Sequence, residues 1–167
     1  MKQLTLAAAL CIVTAASSAY AHHSHPLTYD WCKTLTIEGN VERVEYNDPH
    51  SHIFLRLDNG TLWTVDWAPV AGLKNSGRLD PAQKALIFGA RVAVTGAPIR
   101  TLAEIRQHFP DYNTEPNPNT IDPASMRRVD DSWSWKVNSQ GLQPAGNPGA
   151  GLCEVYERLT SEKAGGR

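Results

Sequence analysis

The sequence predicts a mainly β chain that closes into a small five-stranded barrel, with short helices and a C-terminal extension. Two observations lead there. Alternating apolar and polar runs flank Asn59-Gly60, the strongest short hairpin signal in the chain. The elements then follow in the order long bent strand, hairpin, short helix, strand, long loop, strand. A compact barrel of the OB type satisfies that order; a less regular small β-sandwich is the alternative.

The chain opens on a leader. Lys2 supplies a positive start, Leu4 to Ala16 is a short apolar run, and Ala19-Tyr20-Ala21 is an A-x-A cleavage site. The run is too short to span a bilayer, and Ala8-Ala9-Leu10 ahead of Cys11 fits a lipobox poorly. Residues 1–21 are therefore expected to be a signal peptide, with export to the periplasm. Cleavage leaves 146 of the 167 residues, starting at His22, and no spanning segment. Losing Lys2 takes the formal charge from −1 to −2, which argues against a nucleic-acid partner. Losing Cys11 leaves Cys32 and Cys153. An even pair in an exported chain reads as a disulfide, and closing so long a loop is worth about 5 kcal/mol in the chain-entropy model.

Residues 22–32 form a His-rich arm, and 33–137 form the barrel domain. Thr34 to Tyr46 is a strand whose apolar positions change parity, so a bulge or bend is expected, with Gly39 as its place. Asn47-Asp48-Pro49 is a turn. Ser51 to Asp58 and Thr61 to Trp67 are the hairpin strands. A two-residue type I′ loop sets His52 opposite Trp67, Phe54 opposite Val65 and Arg56 opposite Trp63. One face then holds Ile53, Leu55, Leu57 and Leu62 as core; the other holds His52, Phe54, Arg56, Trp63, Val65 and Trp67.

Pro69 to Ser76 reads as a short helix or turn stopped by Gly77. Pro81 to Phe88 reads as a second helix, with Asp80 as N-cap and Gly89 as stop. Arg91 to Gly96 is a strand ended by Pro98, and Thr101 to Phe109 has helical character up to Pro110. Asp111 to Pro123 is rich in Asn, Pro and Thr and reads as irregular. Ala124 to Val129 and Ser132 to Val137 are the last strands of the domain. Residues 138–167 are a Gly/Pro-rich extension with an ordered stretch around Cys153.

Several residues carry a family resemblance: His22-His23-Ser24, Tyr29-Asp30, Gly39-Asn40-Val41, Val44-Glu45-Tyr46-Asn47, Pro49-His50, Asn59-Gly60 and Trp63. Gly89 to Pro98 and Ala124 to Val129 add two strands. The chain resembles the domain of unknown function 6152 family, small exported bacterial proteins, from about His22 to Trp135 with gaps. The resemblance implies export and a small β fold; it implies no activity. The chain departs from the pattern by Asp48 inside the Asn-Pro-His motif, by an insertion over about residues 100–122, by its cysteine pair and by its C-terminal extension.

A mature terminus at His22 offers two metal donors, the α-amine, with a reference pKa of about 8, and its own imidazole. His23 adds another imidazole. Nitrogen-rich sets of this kind favour Cu(II) among first-row divalent ions, and the arrangement is similar to the histidine brace of copper proteins. A brace needs a further His. His50 and His52 lie two apart on a strand, on one face, with Cα atoms roughly 6.5 Å apart, and either can complete it. The plainer alternative is a solvated arm, with His50 capping its turn and His52 packed on Trp67.

The aromatic sheet face is the other candidate. Phe54, Trp63 and Trp67 can stack a small ligand or a protein, unless Trp133, Trp135 and the extension cover them. Glu38, Glu42, Glu45 and Asp48 read as a solvated face. No serine sits in a nucleophile elbow, no Gly-rich phosphate loop occurs, and no Cys-x-x-Cys is present. The sequence thus points to an exported binding protein, copper-loaded through His22, His23 and His50 or His52, rather than to an enzyme. A metal-free accessory module that binds a small ligand or a periplasmic protein on the aromatic face is the alternative. A copper-dependent oxidative enzyme would need an open coordination position as well.

Overall fold

A computed structural model describes residues 25–137 and 153–154. The expected leader, His22 and His23, and nearly all of the C-terminal extension lie outside the described residues. The elements are β1 (Leu35–Glu45), β2 (Ser51–Arg56), β3 (Leu62–Trp67), α1 (Val70–Asn75), α2 (Leu79–Ala85), β4 (Arg91–Pro98), α3 (Leu102–Arg106), β5 (Thr120–Arg128) and β6 (Ser134–Lys136).

The strands run in the order β3-β2-β1-β4-β5-β6, and β3 also pairs with β5. That parallel pairing, Thr64 with Thr120 and Val65 with Ile121, closes β1 to β5 into a barrel. β6 is an extra strand on β5. The architecture is the OB-like barrel, not the sandwich. Closure leaves no open edge between β3 and β5, which removes the pairing hazard of an exposed strand.

β1 is long because it serves two partners: residues 35–40 pair with β4 and residues 40–45 with β2. The expected bulge exists, but it lies between Val41 and Arg43, at Glu42, rather than at Gly39. Gly39 has a different duty. A Cβ there would meet the Arg56 carbonyl oxygen at 2.7 Å, so only glycine lets the end of β2 approach β1 so closely. Gly96 does the same for β4, since a Cβ would collide with the Asp122 carbonyl where β5 crosses it.

The hairpin departs from the two-residue loop. The Leu57 N–H donates to the Thr61 carbonyl, the Gly60 N–H donates to the Leu57 carbonyl, and Gly60 has φ 81°. This is a three-residue loop ending on a left-handed glycine. The register is Arg56 with Leu62, Phe54 with Thr64 and His52 with Asp66, one residue away from the expected pairing. A one-residue slip turns every side chain of β3 to the other face. Val65 and Trp67 therefore join Ile53 and Leu55 in the core, while Leu62, Thr64 and Asp66 share the outer face with His52 and Phe54.

The core is built from inward positions of all five barrel strands, among them Val41, Ile53, Val65, Val94, Ile121 and Met126, with Leu73, Ala82 and Leu86 from α1, α2 and the end of α2. Trp135 of β6 packs edge-on against Trp67, with ring centroids 5.7 Å apart. The first short helix lies where it was expected, between Pro69 and Ser76, but the second shifts. α2 starts at Leu79, its N-cap is Arg78, and it ends at Ala85. Pro81 still falls in the first turn, where a missing N–H breaks no helical bond. α3 starts at a capping box, Thr101 with Glu104, a T-x-x-E signature readable from sequence. The insertion, 100–122, contains α3 within the run of helical character at Thr101 to Phe109, but the stretch read as irregular, Asp111 to Pro123, holds the first residues of β5, including the two that close the barrel.

Candidate functional site

The site lies where the arm, the β1–β2 turn and β3 meet. After a helical turn at His25–Thr28, the arm runs beside the end of β4. Tyr29 bridges to Ile99, the Asp30 N–H donates to the Pro98 carbonyl at 2.8 Å, and the Arg100 N–H donates to the Thr28 carbonyl at 2.9 Å. Tyr29 and Trp31 pack with Ala97, Ala124 and Ile99 in a small second core. A buried ion pair, Arg100 Nη2 to Asp30 Oδ1 at 3.3 Å, and Lys33 Nζ on Asp30 Oδ2 at 2.8 Å fix the residues that follow. Cys32 is bonded to Cys153, the pairing the cysteine count predicted.

One carboxylate joins the arm to the histidines. The Tyr29 hydroxyl donates to Asp66 Oδ2 at 2.5 Å. His50 Nδ1 lies 2.6 Å from Asp66 Oδ1, and His52 Nε2 lies 3.7 Å from the same oxygen. The Asp66 side chain is 14% exposed, against 32% for His50 and 36% for His52. Burial above all, then the charge and hydrogen bond of Asp66, then the charge of Asp122, push the Tyr29 hydroxyl well above the usual tyrosine range. It therefore stays a neutral donor. A carboxylate accepting from Nδ1–H sets the His50 tautomer that carries its lone pair on Nε2, the pattern of an oriented metal-ligating histidine.

His50 and His52 are thus brought together, but Asp66 lies between them. Among the described residues, no three His, Cys, Asp or Glu side chains form a group that could hold a metal ion. A centre at this place would need further ligands from outside the described residues. Tyr29 sits against Asp66, and His22 is seven residues upstream, at most about 24 Å of extended chain. The expected packing of His52 on Trp67 does not occur, because His52 faces Asp66. Sequence reasoning missed Asp66 as a partner; with a three-residue hairpin loop it falls directly opposite His52.

The aromatic face is divided by the same slip. Trp67 is 2% exposed, and Trp63 is partly buried against the core. Phe54 stays outside with the Arg43 guanidinium 3.4 Å above its ring. The acidic residues of β1 form a salt-bridged outer face: Glu42 with Arg56, Glu45 with Arg43, and Glu38 with Arg91, which also holds Asp58. The Arg91 hydrogen bond keeps the Asp58 carboxyl below the usual range. No helix among the described residues is long and apolar enough to cross a membrane.

A family model described as a family of unknown function, DUF6152, matches residues 9–104, through β4 into α3. No curated protein matches the sequence.

Proposed function

Because the chain belongs to the DUF6152 family of unknown function, we propose its role from its own residues: an exported, periplasmic copper-binding protein. His22 and His23 supply the terminal nitrogens, and His50 completes the site, with Asp66 orienting its ring and His52 beside it. The observation that carries this reading is the shared carboxylate. Asp66 accepts from Tyr29 of the arm and contacts His50 of the β1–β2 turn, so the arm enters the barrel beside the histidine it has to meet. Cu(II) is the favoured ion for such a nitrogen set. Buffering, delivery or sensing of copper fits a binding site without a reaction constellation.

The test has two steps. Intact-mass analysis of protein purified from the envelope should give a chain starting at His22. Cu(II) titration against a competing chelator should then show at least tenfold weaker binding in both His22→Ala and His50→Ala. Equal affinity in wild type and both variants sinks the reading. The metal-free reading rests on Phe54 and its Arg43 cap as a contact for a small ligand or another periplasmic protein. Its support is narrower than the sequence suggested, since Trp63 and Trp67 turn inward.

A further inference from the structure

The hairpin loop carries chemistry that the histidine site does not use. In an Asn-Gly pair the glycine nitrogen can attack the asparagine side chain, because no Cβ shields it. Asn59 and Gly60 are both exposed, and a Cβ on Gly60 would meet nothing within 4 Å. The folded loop nevertheless holds the reacting atoms apart. The Gly60 N–H donates to the Leu57 carbonyl at 2.9 Å, which closes a β-turn over residues 57–60. Among the described residues only glycines have a positive φ, so Asp58 and Asn59 form a type I turn, with ψ of Asn59 at about 0°. The Gly60 nitrogen then eclipses the Asn59 nitrogen and points away from Cβ. Asn59 Oδ1 accepts from the Thr61 N–H at 2.9 Å, which pins the side-chain amide. Arg56 Nη1 donates to the Gly60 carbonyl at 2.9 Å, while its Nε holds Glu42 at 2.8 Å. Turning the Gly60 nitrogen toward Asn59 Cγ breaks its bond to Leu57 and pulls its carbonyl off Arg56.

We propose that Asn59 is a site of non-enzymatic deamidation that the folded loop holds shut and that opening of the hairpin releases. In the open loop the Gly60 nitrogen attacks Asn59 Cγ. A new C–N bond forms, the bond from Cγ to the side-chain nitrogen breaks, and ammonia leaves with the Gly60 amide proton. Water then opens the five-membered imide at one carbonyl or the other, leaving aspartate or isoaspartate. Either product adds a negative charge beside Asp58, whose carboxylate is held by Arg91 at 2.8 Å. Isoaspartate also routes the main chain through Cβ and lengthens the loop by one atom. The bonds from Gly60 to Leu57 and from Leu57 to Thr61 then no longer meet in register. The modification thus records that the hairpin has opened.

The purified full chain, kept at mildly alkaline pH either folded or in urea, tests the proposal by peptide mass spectrometry over several days. The tryptic peptide 57–74 contains no other asparagine and no glutamine, so a gain of one mass unit there reports Asn59 alone. The gain should be at least tenfold faster in urea than in the folded chain, and the product should split into aspartate and isoaspartate forms on chromatography. Asn59→Gln should abolish the gain in urea. Arg56→Ala, which releases the Gly60 carbonyl and Glu42 together, should speed the folded-state gain severalfold, localised to residue 59 by fragmentation, with an unchanged near-ultraviolet dichroism spectrum. No gain in urea overturns the assignment of Asn59 as a site. Equal rates in the folded chain and in urea overturn the protection by the loop, and this comparison needs no variant to fold.

Discussion

Replacing Tyr29 by Phe removes one oxygen and tests whether Asp66 joins the arm to the barrel. The hydroxyl is on a residue only 4% exposed and donates to a carboxylate at 2.5 Å. Hydrogen bonds to charged groups contribute about 1.5–3 kcal/mol, and little solvent is present here to screen this one. The His50 contact with the same carboxylate is weaker in effect, because a side chain 32% exposed behaves closer to a surface pair, worth about 0–1 kcal/mol. Tyr29→Phe should therefore cost about 2 kcal/mol and His50→Ala under about 1 kcal/mol. Asp66→Ala, which loses the contacts to Tyr29, His50 and His52, should cost about 3 kcal/mol. The Tyr29→Phe/Asp66→Ala pair should show a coupling of about 2 kcal/mol in urea unfolding at neutral pH. Additivity within about 0.5 kcal/mol would mean the two groups are merely adjacent, and the anchoring role of Asp66 would have to be abandoned.

Three further outcomes follow from the structure. Cys32→Ser with Cys153→Ser opens a loop of sequence separation 121, so urea unfolding should lose about 5 kcal/mol, and reducing the wild type should reproduce the loss; a deficit under about 1 kcal/mol contradicts it. Gly96→Ala drives a methyl group into the Asp122 carbonyl and should cost at least about 2 kcal/mol, seen as a lowered Tm, whereas Gly60→Ala meets no atom among the described residues and costs only the strain of a side chain at φ 81°, about 1–2 kcal/mol. The pH profile is set at the alkaline end by Tyr29 and Tyr46, whose hydroxyls are raised, both chiefly by burial. A raised tyrosine favours the folded state fully below the unfolded value of about 10 and loses that contribution as pH rises through the folded value. Unfolding free energy should fall above about pH 10, less steeply in Tyr29→Phe; an unchanged slope in that variant rejects the assignment.

Much of the fold was legible because element order and turn chemistry are local. Asn59-Gly60 marked the hairpin, Gly77 marked the end of α1, and the strand–hairpin–helix–strand order selected the barrel over a sandwich. What stayed hidden turned on single-residue geometry. Asn-Gly suits a two-residue loop, yet Gly60 serves here as the left-handed end of a three-residue loop. That difference sends Trp67 into the core and puts Asp66 beside His52. The candidate site was read as histidines without their carboxylate for the same reason. The start of β5 was masked by Asn117-Pro118-Asn119, which reads as loop; Pro123 sits in β5 opposite Gly96, where the ladder is already broken by a register shift. Thr101 and Glu104 show the opposite case, a cap visible in the letters and overlooked.

The bond between Cys32 and Cys153 makes one covalent ring of everything from the foot of the arm to the far end of the Gly/Pro-rich stretch. A protease that nicks this ring once, anywhere inside it, yields two polypeptides but still one molecule, separable only after a thiol is added. Such a cut leaves the residues before Cys32 tethered to the barrel from both directions, by the backbone or by sulfur. The short tail that carries the histidines is thereby insured against damage to the chain that follows it.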